Sequence, residues 1–167
     1  LITFLMFLVA PLLTMRLLSE EAREGTLEVL MTLPMGDWAF VTGKFLAAWT
    51  FYTVLLLLSL VHLVLLLPLG PVNGPLIATA YLGAWLYGGA AMALTLIWSA
   101  VTEDQIVSAF LGAATVLVFF LMDSFAVLAS GQFAQLGDLM RELGFSPHFQ
   151  STLLAGVLRG QDVVYFL

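Results

Sequence analysis

The stretch Met15-Arg-Leu-Leu-Ser-Glu-Glu-Ala-Arg-Glu-Gly-Thr-Leu-Glu-Val-Leu-Met-Thr-Leu-Pro-Met-Gly-Asp-Trp-Ala-Phe-Val-Thr-Gly-Lys44 concentrates the charge of this chain. It carries Arg16, Arg23 and Lys44, three of the five basic residues, and Glu20, Glu21, Glu24, Glu28 and Asp37, five of the eleven acidic ones. Apolar runs flank it, so it lies in water at a membrane face. Within it, Gly25 interrupts a helical pattern, and Thr26 is placed to N-cap a second short helix with Glu28 in its first turn. Pro34 ends that helix. Leu27, Leu30 and Met31 fall at i, i+3 and i+4, one face of a helix about two turns long. A helix this short is not stable alone. It is either a connector resting on the membrane surface or a docking helix presented to a soluble protein.

Composition sets the solvent. The chain is 62% hydrophobic and 10% charged with a mean hydropathy of +1.07, more apolar surface than a soluble domain of this length can bury. It is therefore expected to be an all-α, polytopic transmembrane bundle. The absence of cysteine excludes disulfides and thiolate metal sites. A net charge of -6 argues against nucleic acid, which requires a basic patch. The chain opens inside the apolar run Leu1 to Ala10, without an initiator Met or basic n-region, and closes at Tyr165-Phe-Leu167 as another run begins. We expect a fragment.

Residues 1–18 are expected to be a partial span, kinked at Pro11. Residues 19–44 form the charged loop. Phe45 to Leu67 is a full span at about 1.5 Å per residue across roughly 30 Å of hydrocarbon. The turn-rich Pro68-Leu-Gly-Pro-Val-Asn-Gly-Pro75 follows. Spans are expected at 76–100 and 106–129, separated by Thr102-Glu-Asp-Gln105, and residues 163–167 begin a fifth. The basic residues weakly favour a cytoplasmic 14–44 loop, with Arg141 and Arg159 on the opposite side. Gly83, Gly88 and Gly89 in the third span allow close helix approach, either within the chain or between subunits.

Residues 130–162 are not a plain loop. Phe133, Leu136, Leu139, Met140 and Leu143 repeat at helical spacing, with Gln132, Gln135, Asp138, Arg141 and Glu142 between them. Gly144 to Pro147 is expected to break this amphipathic helix. Phe149, Leu153, Leu154, Val157 and Leu158 suggest a second, ending at Gly160. Two helices resting on the outer interface account for the pattern.

Few ionisable residues fall within the spans. His62 reads as interfacial, and Asp123 faces the bundle interior or a water-filled gap, with no basic residue near in sequence. His148 reads as structural. No metalloprotease, nucleophile-elbow or phosphate-loop motif occurs, and neither histidine has a carboxylate at metal-ligand spacing, so no catalytic, cofactor or metal residues are assigned.

The run Arg16-x-x-x-Glu20-Glu-x-x-x-Gly25-Thr-Leu-Glu-x-Leu-x-Thr-x-Pro34, with Asp37-Trp38 and Gly43-Lys44-Phe45, resembles the cytoplasmic loop of ABC-2-type permeases. The branch most similar is that of gliding-motility-associated and multidrug export permeases. Ser99-Ala-Val-Thr-Glu-Asp-Gln-Ile106, Ser146-Pro-His-Phe-Gln150 and Gly160-Gln-Asp-Val-Val-Tyr-Phe-Leu167 agree with it. The resemblance implies a permease subunit in the cytoplasmic (inner) membrane, working as an exporter. ATP is then hydrolysed by a separate ABC-type ATPase subunit and no cofactor is held by this chain.

Gly25 to Leu33 would be the coupling helix in the ATPase cleft, with Thr26, Glu28 and Pro34 part of the same site. Glu20, Glu21, Arg23 and Glu24 would orient it, and Leu27, Leu30 and Met31 would make the buried contact. A second permease subunit, identical or related, would complete the pathway, and a six-span plan would leave one span missing at the start. The outer helices would dip into the membrane and shape a gate, with Asp123, Phe133, Leu136 and Phe149 as pathway candidates. A non-transporting scaffold or motility-complex subunit would keep the same loop.

Overall fold

The computed structural model describes residues 2–32, 36–66, 73–129 and 134–166. Among these there is no strand. The helices are α1 (Ile2–Thr14), α2 (Ser19–Glu24), α3 (Thr26–Met31), α4 (Asp37–Leu66), α5 (Gly74–Val101), α6 (Gln105–Ala129), α7 (Ala134–Leu143), α8 (Phe145–His148) and α9 (Gly160–Phe166), with a π-helical turn at Phe149–Leu153. Three are long and apolar enough to cross a bilayer, over Trp38–Leu65, Gly74–Val101 and Gln105–Leu128. The protein is an all-α polytopic membrane bundle.

Of these three, α5 has the lowest mean hydropathy, 1.4 against 2.0 and 2.2, and yet 56% of its apolar window is buried against 11% and 17%. The two facts have one cause. Where the solvent is lipid, polar side chains turn inward, and Thr79, Thr95 and Ser99 of α5 are all buried. Helix α5 is the most buried of the three, while α4 and α6 leave most of their apolar stretches exposed.

The chain divides into two compact units, Leu1–Tyr52 with Gly88–Leu117, and Thr53–Tyr87 with Val118–Leu167. In the first unit, α5 brings glycines where α4 brings rings. A methyl at Gly88 would collide with the Tyr52 ring, and one at Gly89 would lie 3.0 Å from the Trp49 indole. The Trp98 indole donates to Thr115 Oγ1 at 2.7 Å, tying α5 to α6.

In the second unit, a Cβ at Gly83 would meet Leu153 at 2.8 Å and Phe149 at 3.1 Å. The Tyr87 ring lies 5.0 Å from Phe145 and 5.2 Å from Phe149, and Phe119 stacks on Phe145 at 5.2 Å. The Trp85 indole donates to Thr53 Oγ1 at 2.8 Å. Aromatic pairs contribute about 0.5–1.5 kcal/mol each beyond area burial, and an interhelical hydrogen bond in lipid about 0.6 kcal/mol. Packing of rings on small residues therefore dominates, and these glycines serve contacts within the chain.

The elements differ from expectation in four places. Helix α4 begins at Asp37 rather than Phe45, because nothing in 37–44 breaks a helix and the Ala39 and Phe40 amides already bond to the Gly36 carbonyl at 2.9 and 3.3 Å. Thr26 does not cap α3. Gly25 occupies that position with φ 70, also closing α2, and the Thr26 hydroxyl donates instead to the Glu21 carbonyl at 3.3 Å. Of Gly144 to Pro147, only Gly144 interrupts the helix, since Pro147 lies in the first turn of α8, where its missing N–H has no partner to lose.

The fourth difference is at the end of the chain. No helix runs to Gly160. The π-helical bond from the Leu154 amide to the Phe149 carbonyl (2.9 Å) is followed by a turn at Gly156, φ 83, and Gly160 starts α9. Phe149 and Leu153, at the two ends of the π turn, both rest on Gly83.

Candidate functional site

The charged loop lies in the first unit, built on the joint between α1 and α2. Helix α2 has no side-chain cap of its own. Its first amides are instead taken by α5: Ser99 Oγ accepts the N–H of Leu18 at 3.1 Å and of Ser19 at 3.2 Å, and the same hydroxyl donates to the Met15 carbonyl at 3.2 Å. One turn earlier on α5, Thr95 Oγ1 accepts the Thr14 hydroxyl at 2.8 Å and donates to the Ala91 carbonyl at 3.0 Å. All four side-chain and cap residues, Thr14, Leu18, Thr95 and Ser99, are buried.

From that joint the loop runs outward. Glu21 pairs with Lys44 of α4, whose ammonium also lies 5.6 Å from the centre of the Phe40 ring. Glu21 is therefore occupied within the chain rather than offered outward. Glu20 is half-buried, while Arg23 and Glu24 are exposed, Arg23 lining an open hollow with Glu103, Asp104, Gln105 and Ile106. Asp104 caps α6, its Oδ1 accepting the Ile106 amide at 2.7 Å.

On α3, Thr26, Glu28, Val29 and Thr32 are exposed and Leu27 and Leu30 are half-buried. Val29, which sequence periodicity did not single out, is 66% exposed, more open than the other apolar side chains described on this helix. Met31 closes α3, but its side chain lies outside the described residues, as does Pro34. The segment is thus a short helix presented on a sharp αL bend at Gly25, not one sunk among the spans.

The pathway candidates lie in the second unit. Phe149 is fully buried against Tyr87 and Gly83, Leu136 is half exposed, and Asp123 is partly buried on α6. Phe133 lies outside the described residues. Leu136, Leu139 and Leu143 on α7 are all exposed, an unsheathed apolar stripe suited to an interfacial helix.

His148 is structural: Nδ1 lies 2.8 Å from Asp162 Oδ1, Nε2 lies 3.2 Å from the Glu142 carbonyl, and the ring stacks on Tyr165 at 4.2 Å. The Tyr165 hydroxyl in turn donates to the Leu143 carbonyl at 2.6 Å. This clasp joins α7, α8 and α9. Sequence spacing missed it because Asp162 stands 14 residues from His148, beyond local helical spacing. No cluster of three or more potential metal ligands occurs among the described residues.

Residues 1–152 match the family model described as ABC-2 family transporter protein. No curated protein and no solved structure matches the chain. The matched residues take in α1 to α6 and the whole of the loop between α1 and α4. The chain belongs to the ABC-2 transporter family and is a multi-pass membrane permease component of an ABC transporter.

Proposed function

We propose that this subunit exports its substrate across the cytoplasmic membrane, driven by a separate ABC-type ATPase subunit that grips the α2–Gly25–α3 segment, with a second permease subunit completing the pathway. The observation that carries this reading is the presentation of α3. Thr26, Glu28, Val29 and Thr32 are exposed on the segment that connects α1 to α4, so a force applied there reaches the helices on both sides.

The chemistry of the surface fits a protein cleft. Val29 supplies an apolar contact, and Glu24 and Glu28 supply negative charge for basic or main-chain N–H donors. Leu27 and Leu30, half-buried, hold α3 to its own chain as well as offering part of their surface. ATP binds to and is hydrolysed by the partner, and this chain converts the resulting movement into alternating access.

The test is reconstitution of the chain with its ATPase subunit in inside-out vesicles. Export predicts ATP-dependent accumulation of a transported compound inside the vesicles. ATP hydrolysis that no tested compound stimulates, with no accumulation, would contradict it.

A further inference from the structure

We propose that Ser99 is the positioning residue through which movement of the docking segment reaches α5, so that α2 and the inner end of α5 move as one body. This rests on the function proposed above, and extends it from the helices that flank the loop to one that is remote from it in sequence.

The argument begins with hydrogen-bond capacity. A serine hydroxyl has one proton and two lone pairs. Ser99 spends all three on the α1–α2 joint, accepting from the Leu18 and Ser19 amides and donating to the Met15 carbonyl. None is directed at its own helix. Serine and threonine within membrane helices commonly return their proton to a carbonyl one turn back, as Thr95 does toward Ala91. The Ser99 hydroxyl instead serves another element.

The joint that it serves has no alternative. The Leu18 amide precedes α2 and the Ser19 amide opens it, so neither has a partner within that helix, and both residues are buried away from water. Losing the hydroxyl strands two donors at once. A displacement of α2 relative to α5 therefore breaks three bonds, whereas moving the two together breaks none. The Thr14–Thr95 bond, one turn along the same face, resists rotation about the Ser99 contact.

The lever acts on the most buried of the long helices. α5 is the most buried of the three spans, so a shift delivered to it is felt throughout its packing, including the Tyr52 and Trp49 rings seated on Gly88 and Gly89. Helix α4, with only 11% of its apolar window buried, has fewer protein neighbours to move.

The experiment uses the full chain in nanodiscs, alone and with its ATPase subunit. The absence of native cysteine allows clean spin-labelling at Thr32→Cys and Val101→Cys, both exposed and in the same unit. Without ATPase, Ser99→Ala should broaden the label distance distribution and speed exchange of the Leu18 and Ser19 amides about five- to ten-fold, and Ser99→Thr should restore both. With ATPase, Ser99→Ala should still bind it but lose the ATP-dependent shift of a label on Val101, while Thr95→Val should give a smaller loss. An unchanged distribution, unchanged exchange and a full ATP-dependent shift in Ser99→Ala would overturn the proposal. If the wild-type chain binds no ATPase, the proposed function fails, while the first pair of measurements still decides whether Ser99 locks α2 to α5.

Discussion

Glu21 of α2 is ion-paired with Lys44 of α4, so the two ends of the charged loop are fastened to each other beneath the segment that it presents. Both side chains are largely covered, at 20% and 29% exposure, and the second carboxylate oxygen of Glu21 is buried with no protein partner. A pair so placed is worth more than a surface bridge, and removing one member strands the other. Lys44→Met and Glu21→Gln should each destabilise the protein, and the double variant should recover part of the loss, with a coupling energy of about 1 kcal/mol. Thermal unfolding of the four proteins in one detergent measures it. Strict additivity would show that the pair contributes nothing.

Gly88 faces the Tyr52 ring with no room for a methyl group. Gly88→Ala should cost about 1–3 kcal/mol through overpacking. Tyr52→Leu in the same chain should return part of that cost by removing the ring. If Gly88→Ala unfolds at the wild-type temperature, α4 and α5 are not in close contact there.

Gly25 has φ 70 with open space around the position of a Cβ. The cost of Gly25→Ala is therefore backbone strain alone, about 1 kcal/mol, and Gly25→Asn should cost less. A larger loss in unfolding experiments would mean that the bend is also packed.

The His148–Asp162 clasp is asymmetric: the Asp162 side chain is 5% exposed and the His148 side chain 22%. His148→Ala leaves a buried carboxylate without its partner, whereas Asp162→Ala leaves a less buried ring that keeps its contacts with the Glu142 carbonyl and Tyr165. His148→Ala should be the more damaging, by roughly 1–2 kcal/mol. Hydrogen exchange over residues 160–166 reads this directly, and the reverse order would contradict the assignment.

Much of this fold was legible because lipid imposes a strong constraint. A run as apolar as Phe45 to Leu66 has one stable solution, a helix, and the three long helices cover the three long apolar stretches, α4 starting earlier than hydropathy alone marks. Hydropathy does not say which span is most buried, since lipid and protein interior are equally apolar, and it is the inward-turned Thr79, Thr95 and Ser99 that mark α5. Thr95 and Ser99 stand four apart on one helical face, a signal present in the sequence that points to a partner without naming Leu18 and Ser19. The Glu21–Lys44 pair joins residues 23 apart, beyond any local rule. On α3, periodicity marks Leu27, Leu30 and Met31 as one face. It could not tell that the chain itself half-covers Leu27 and Leu30 and leaves Val29 more exposed than either.

The claim that a motor protein grips α3 is tested most directly by capture of the ATPase subunit on the tagged, detergent-solubilised chain. Val29→Asp places a charge in the contact, at a cost of about 2 kcal/mol or more, so recovery of the ATPase should fall about thirty-fold or more while the chain itself elutes and unfolds as the wild type does. Undiminished ATPase recovery by Val29→Asp, and by Glu28→Lys combined with it, would contradict the account.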